Sequence, residues 1–258
     1  MPGARIMQAG SPDDLTGAVR VLLIANLGVF VLQALAAPPV AEVLHGVLGL
    51  SAAGLRGRAG WQLFTYMFLH GGPMHLLMNM LALYLIGPSV ERGLGRRQFL
   101  LVYALSGLLG GVGFVLMDPH AICIGASGAV FGVFGAFVAL YPRERLSLLF
   151  LPFIHFEAWV FALVYMAIEV TRLVAGRGGN VAHSAHVAGA IAGFVYVRML
   201  VRRSALRPAW GGRRSSSGDD PEEIDRILDK VAREGLGSLT PRERRALETS
   251  STRRPRGS

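Results

Sequence analysis

The chain alternates long apolar runs with short breaks rich in glycine, proline and arginine. Six runs stand out, at 19–37, 74–87, 99–117, 127–141, 148–174 and 183–201. About 20 apolar residues wound as a helix cross the hydrocarbon core of a bilayer, and only a helix or a closed barrel satisfies its backbone there. The pattern therefore predicts an all-α polytopic membrane protein, a six-helix transmembrane bundle. The stretch 38–73 mixes Gly, Pro, Arg and aromatic residues and reads as a structured loop at the membrane surface. The run from Ser127 is short before Pro142, so its N-terminal end is expected below the surface, at the bottom of a cavity open to water.

The flanks read differently. Residues 1–18 form a polar N-terminal segment with Asp13 and Asp14. Ala34-Leu35-Ala36 resembles a cleavage site, but the acidic region before the first run favours an uncleaved anchor. The six-span domain is read as 19–203, followed by a linker at 204–220 and a tail at 221–250 that ends in a disordered stretch, 251–258. Two helices are written into the tail. Asp220-Pro221-Glu222-Glu223 supplies a cap, a first-turn proline and acidic residues, then Ile224, Ile227, Leu228 and Val231 recur at helical spacing up to Gly235. Thr240-Pro241-Arg242-Glu243 opens a second helix by the same chemistry. An amphipathic hairpin is the plainer reading of this tail, and a surface for a partner is the other.

Composition agrees with a membrane protein. The chain is 52% hydrophobic and 17% charged, below the roughly 25% of soluble domains, and its mean hydropathy is +0.44. The net charge of +9 does not make a nucleic-acid surface, because Lys230 is the only lysine and the arginines gather at the ends of apolar runs and in the tail. Arg92, Arg96, Arg97, Arg143, Arg145, Arg202, Arg203 and Arg207 fall on one side, which places both termini in the cytoplasm. The arginine pattern and the want of a transit peptide favour a bacterial inner membrane. Cys123 stands alone, so neither a disulfide nor a thiol metal site is open to this chain.

Against this apolar background a few polar residues call for explanation, since polar groups held in hydrocarbon are usually used. Ser127 lies in Gly125-Ala126-Ser127-Gly128, and His186 in Ala185-His186-Val187-Ala188-Gly189 with Gly193 beyond. Hydrolysis by serine needs a base for its proton, which a neutral imidazole supplies, and donors for the oxyanion. Ser127 and His186 can form that dyad. No acidic residue falls within their two runs, so no third member is evident; Phe131, one turn after Ser127, could orient the imidazole by its ring. Gly125, Gly128 and Gly132, with Gly189 and Gly193, would let the helices approach closely. Helix packing alone also accounts for such glycines. His75 and Asn79, four apart on one helix face, offer an imidazole N–H and an amide as oxyanion donors. A metal held by His70, His75 and His186 is disfavoured, as no carboxylate accompanies them in the spans. His183 reads as an interfacial residue.

Taken together, His70-x4-His75-x3-Asn79, Gly125-x-Ser127-Gly128 and Ala185-His186-x2-Gly189-x3-Gly193, on the second, fourth and sixth runs, resemble the rhomboid intramembrane serine proteases over about 19–201. The resemblance implies Ser127 as nucleophile and His186 as general base, with the Ser127 backbone N–H, His75 and Asn79 stabilising the oxyanion. It implies His70 as a structural residue bracing the first loop by hydrogen bonds, and Gly189 as the contact between fourth and sixth helices. Glu91-Arg92 looks like the family's short cytoplasmic turn. Trp61-Gln62 stands where many members carry Trp-Arg, and Phe131 where some carry tyrosine. The tail around Gly237-Ser238-Leu239-Thr240 resembles an extension of some bacterial members.

The implied activity is endoproteolysis of single-span membrane proteins within the lipid bilayer, through an acyl-enzyme, with no cofactor and no metal. The alternative, from a different class, is a catalytically inactive rhomboid-like protein that binds membrane helices.

Overall fold

The computed structural model describes residues 15–148, 151–175, 182–205, 221–241 and 243–247. The chain divides into two units, 1–202 and 203–258. In the first, helix α1 (Gly17–Leu35) is followed by three short helices, α2 (Pro38–Leu48), α3 (Ala52–Arg56) and α4 (Gln62–Thr65), and a 3-10 turn at Tyr66–Phe68. Then come α5 (Pro73–Leu94), α6 (Arg96–Met117) and α7 (Ser127–Leu140), a two-stranded hairpin of β1 (Arg145–Leu148) and β2 (Leu151–Glu157), α8 (Ala158–Val174) and α9 (His183–Ala205). The fold is thus a helical membrane bundle with one small hairpin added.

Among the described residues, four helices are long and apolar enough to cross a membrane by length and composition: Gly17–Leu35, Pro73–Leu94, Arg96–Met117 and His183–Arg203. Large apolar side chains on them face outward, Ile24, Leu35, Leu116 and Ile191 among them; such a belt suits lipid and not water. Helix α7 has 14 residues, about 21 Å at 1.5 Å per residue against a core of about 30 Å. It sits at the centre of the bundle, packed on α5, α6 and α8, with Ala129, Val133, Ala136 and Phe137 fully buried.

Two expectations about element boundaries change. The run at 148–174 is not one span: Leu151–Glu157 is a strand antiparallel to β1, with Arg145 opposite Glu157 and Leu146 opposite Phe156. Pro152 cannot donate to a helix, and β-favouring Phe153, Ile154 and Phe156 follow it in the sequence. Only at Ala158 does a helix begin, its first N–H groups bonded to the carbonyls of Glu144 and Pro142 at 2.8 and 3.0 Å. The second correction concerns Glu91-Arg92, which lies inside α5 and not in a turn. The buried Glu91 carboxylate accepts the Ala18 N–H at 3.0 and 3.1 Å and the Val19 N–H at 3.0 Å. It satisfies orphan donors at the start of α1, where Thr16 makes no side-chain cap.

The loop between α1 and α5 is held from within. Gln62, buried, donates to the carbonyls of Gly46 and Val47 at 3.1 and 3.3 Å and accepts the Ser51 N–H at 3.2 Å. Trp61 Nε1 adds a bond to Val47 O at 3.0 Å, and Thr65 Oγ1 one to Leu48 O at 2.7 Å. The glutamine that stands in place of an arginine therefore faces inward as a brace.

In the second unit, α10 (Pro221–Glu234) stops at Gly235, whose φ is 81°. Residues 241 and 243–247 are helical. Thr240 and Glu243 form a reciprocal cap: the Thr240 N–H donates to Glu243 Oε2 at 2.7 Å and the Glu243 N–H to Thr240 Oγ1 at 3.3 Å. Lys230 pairs with Glu243 at 3.1 Å. The readings made of 1–14, of the cap at Asp220, of 206–220 and of 251–258 lie outside the described residues.

Candidate active site

The segment entering α7 is fixed before it becomes a helix. Leu50 and Cys123 exchange backbone bonds at 2.9 and 2.8 Å, and the Gly125 N–H donates to Tyr66 O at 2.9 Å. Gly125 has φ 127°, and a Cβ there would lie 2.6 Å from His75 Cε1 and 2.8 Å from His75 Nε2. Only glycine takes that backbone freely, and only glycine leaves the room. The same point is 3.8 Å from Ser127 Oγ, so Gly125 holds the serine and the imidazole on either side of one small space.

Ser127 is the first residue of α7, with Ala126 in the cap position making no side-chain bond. Its N–H is one of the four that a helix start leaves without an internal partner, at the positive end of the dipole. His75 Nδ1 accepts the Gly71 N–H at 3.4 Å; that leaves the proton on Nε2, the nitrogen beside Gly125. Asn79 Nδ2 donates to His75 O at 2.8 Å, using one of the two amide hydrogens. His70 is buried, with its ring edge-on to His75 at 5.1 Å. Its ring nitrogens find no hydrogen-bond partner among the described residues. The loop is instead braced through its backbone, by Gln33 Oε1 accepting the His70 N–H at 3.1 Å and Gln33 Nε2 donating to His70 O at 3.3 Å.

His186 comes from the sixth apolar run. The backbone of α9 reaches α7 through glycines: Gly189 lies against the Gly128 carbonyl and Gly193 against the Gly132 carbonyl, so close that a Cβ would collide at either. This brings the His186 ring onto Phe131, stacked at 4.3 Å with 13° between planes. Phe131 is backed by Tyr165 at 5.4 Å. No hydrogen bond joins Ser127 Oγ to His186 among the described residues.

A carboxylate that the sequence reading did not assign stands behind His186. Glu169, on α8 and 4% exposed, has Oε2 at 3.1 Å from His186 Nδ1 and 2.6 Å from His183 Nδ1. His183, read above as interfacial, is also 4% exposed. Contrary to the expectation from the sequence, a carboxylate of the fifth apolar run does accompany the histidines. The trio differs from the one weighed as a metal site, and its ligand atoms lie within 4.8 Å of one another. Donors around a zinc ion at 2.0–2.1 Å in a tetrahedron would lie about 3.3 Å apart, so the 2.6 Å contact is spaced as a hydrogen bond. A signal for Glu169 was present in the sequence: the run 148–174 carries two acids, Glu157 and Glu169, and an acid in an apolar run is as costly as a histidine there.

Comparison with known proteins identifies a family for the chain. The Rhomboid domain family matches residues 57–203, and a family of unknown function (DUF6576) matches residues 219–253. The putative rhomboid protease YdcA of Bacillus subtilis is 33% identical over 150 residues, 57% of this chain and 70% of that protein. RHOMBOID-like protein 4 of Arabidopsis thaliana is 34% identical over 173 residues, 66% of this chain and 41% of the relative. Rhomboid protease GluP of Bacillus subtilis is 35% identical over 136 residues, 52% of this chain and 25% of its own length. Two of these three relatives are therefore spanned over less than half their length. With the helical bundle and the family match over more than half its residues, the chain belongs to the rhomboid family of integral membrane proteins.

Proposed function

We propose that the chain is an intramembrane serine endopeptidase acting on single-span membrane proteins. The observation that carries this reading is the convergence of Ser127, at a helix start, with His75 across Gly125 and with Phe131, one turn on, stacked on His186. In the first half-reaction Ser127 Oγ bonds to the scissile carbonyl carbon while His186 takes the hydroxyl proton. The oxyanion is met by the Ser127 N–H, by His75 Nε2–H and by the second amide hydrogen of Asn79. As the C–N bond breaks, the proton passes from His186 to the leaving amine, and an ester remains on Ser127. Water then attacks that ester, gives its proton to His186, and the serine leaves with that proton restored.

Helix α7 is short, which supports a nucleophile below the membrane surface and reached by water. A substrate helix must unwind there, because a helical peptide bond is hydrogen-bonded and shielded. This favours substrates with helix-breaking residues near the outer face. By the arginine distribution both termini are cytoplasmic in a bacterial inner membrane, and 221–250 is a tail that packs on itself or meets a partner.

The test is cleavage of a generic single-span substrate by the purified protein in detergent, with Ser127→Ala beside it. Cleavage that vanishes in the variant is the expected result. A well-folded wild type that leaves the substrate intact overturns the protease and favours a rhomboid-like protein that binds membrane helices.

A further inference from the structure

We infer that Glu169 is a positioning residue for His186, so that the dyad works as a Ser–His–Glu triad whose third member comes from the neighbouring helix α8. The inference rests on the protease reading above. A carboxylate oxygen only accepts hydrogen bonds. With Glu169 Oε2 at 3.1 Å from His186 Nδ1, that nitrogen carries the ring proton, and Nε2 is left with the lone pair that a base needs.

Two rotations must be fixed for an imidazole to aim that lone pair. Stacking on Phe131, 13° from parallel, fixes the ring plane but allows the ring to turn within it. The bond to Glu169 fixes that second rotation and the tautomer together. His183 holds the carboxylate in turn: its Nδ1 is 2.6 Å from the same oxygen, and its Nε2 is buried without a partner among the described residues. Structural anchoring of α8 to α9 would need only one histidine. The second donor to the same oxygen is the residue stacked on Phe131, which ties the carboxylate to the reacting ring. Other ionisable groups facing this cluster are Tyr165 and Arg172 on α8 and His75 on α5.

When Ser127 gives up its proton, His186 becomes an imidazolium, and the Glu169 anion stabilises it where water cannot. The proton itself stays on His186 until the amine leaves. The effect therefore belongs to turnover, not to substrate affinity.

The experiment uses the full chain in detergent as wild type, Glu169→Gln, Glu169→Asp and Ser127→Ala. Substrate cleavage gives kcat and KM, and histidine-selective 1H–15N spectra report the Nδ1 proton of His186. Glu169→Gln is expected to lower kcat roughly 10²-fold, the scale of a general base, with KM nearly unchanged. Glu169→Asp should recover much of that loss, because the charge and acceptor are kept. The low-field Nδ1 proton should be present in wild type and in Ser127→Ala and lost in Glu169→Gln. Wild-type kcat in Glu169→Gln, or a loss that Asp does not rescue and that tracks unfolding, overturns the inference. An inactive wild type overturns the protease reading instead; the spectra then still decide the Glu169–His186 bond, its presence supporting the positioning and its absence overturning it.

Discussion

Two carboxylates are buried among the described residues of this bundle, and their partners differ. Glu91 takes its hydrogen bonds from backbone N–H groups at the start of α1, whereas Glu169 takes them from two imidazoles. Both meet the same demand, that a charge removed from water be hydrogen-bonded. Backbone donors cannot change their protonation, so Glu91 ties α5 to α1 and does nothing more. Imidazole donors can gain and lose a proton, so the same anion beside them enters chemistry. Which donors a buried acid collects separates architecture from mechanism.

Substitutions should split along that line. Glu91→Ala leaves buried N–H groups unpaired and should cost roughly 3 kcal/mol of stability, read as a fall in thermal midpoint in detergent, with the kcat of the folded fraction unchanged. A loss of kcat at constant stability would break the contrast. Phe131→Ala removes the ring under His186; a stacked pair is worth about 0.5–1.5 kcal/mol, so kcat should fall by up to about tenfold. Phe131→Tyr should retain the rate, and a deficit there would show that more than ring stacking is at work.

His183→Phe sharpens the comparison further. It takes one of two donors from Glu169, the net worth of a hydrogen bond, about 0.5–1.5 kcal/mol, and should slow turnover about two- to tenfold. An effect equal to that of Glu169→Gln would make His183 the positioning group. The smallest effect is expected in the tail. The backbone and hydroxyl bonds of Thr240, with Lys230 behind them, hold the Glu243 carboxyl at about 2, below the usual 4.5. Because the folded value is the lower one, the stabilisation is present above the ordinary carboxylate range and is lost as pH falls from about 4.5 toward 2. Protection of the Thr240 amide against exchange, taken relative to the intrinsic rate at each pH, should fall across that window in the full chain; protection that is flat with pH would show that the cap does not hold.

Much of this arrangement was legible in the sequence, for reasons that apply to single segments. Gly125, Ser127 and Gly128 are adjacent, Gly189 and Gly193 are one helical turn apart, and His75 and Asn79 share a face by spacing alone. The capping box at Thr240 is likewise local. What escaped needed two segments at once. Glu169 meets His186 across helices 17 residues apart in sequence, and Glu91 meets Ala18 across 73. Gln62 looked like a missing arginine because its inward partners, the carbonyls of Gly46 and Val47, have no sequence signature. The strand pair β1 and β2 was hidden because a short apolar run has no period that tells strand from buried helix. The rule that flagged Ser127 and His186, that polar groups in apolar runs are costly, applied equally to Glu169.

We read Ser127 as an activated nucleophile and His186 as its base. Intact-mass measurement after treatment with a fluorophosphonate tests it most directly, on wild type, Ser127→Ala and His186→Ala. One covalent adduct is expected on the wild type, mapped to the peptide containing Ser127, and none on either variant. A folded wild type that takes no label, or takes it at another residue, would contradict it.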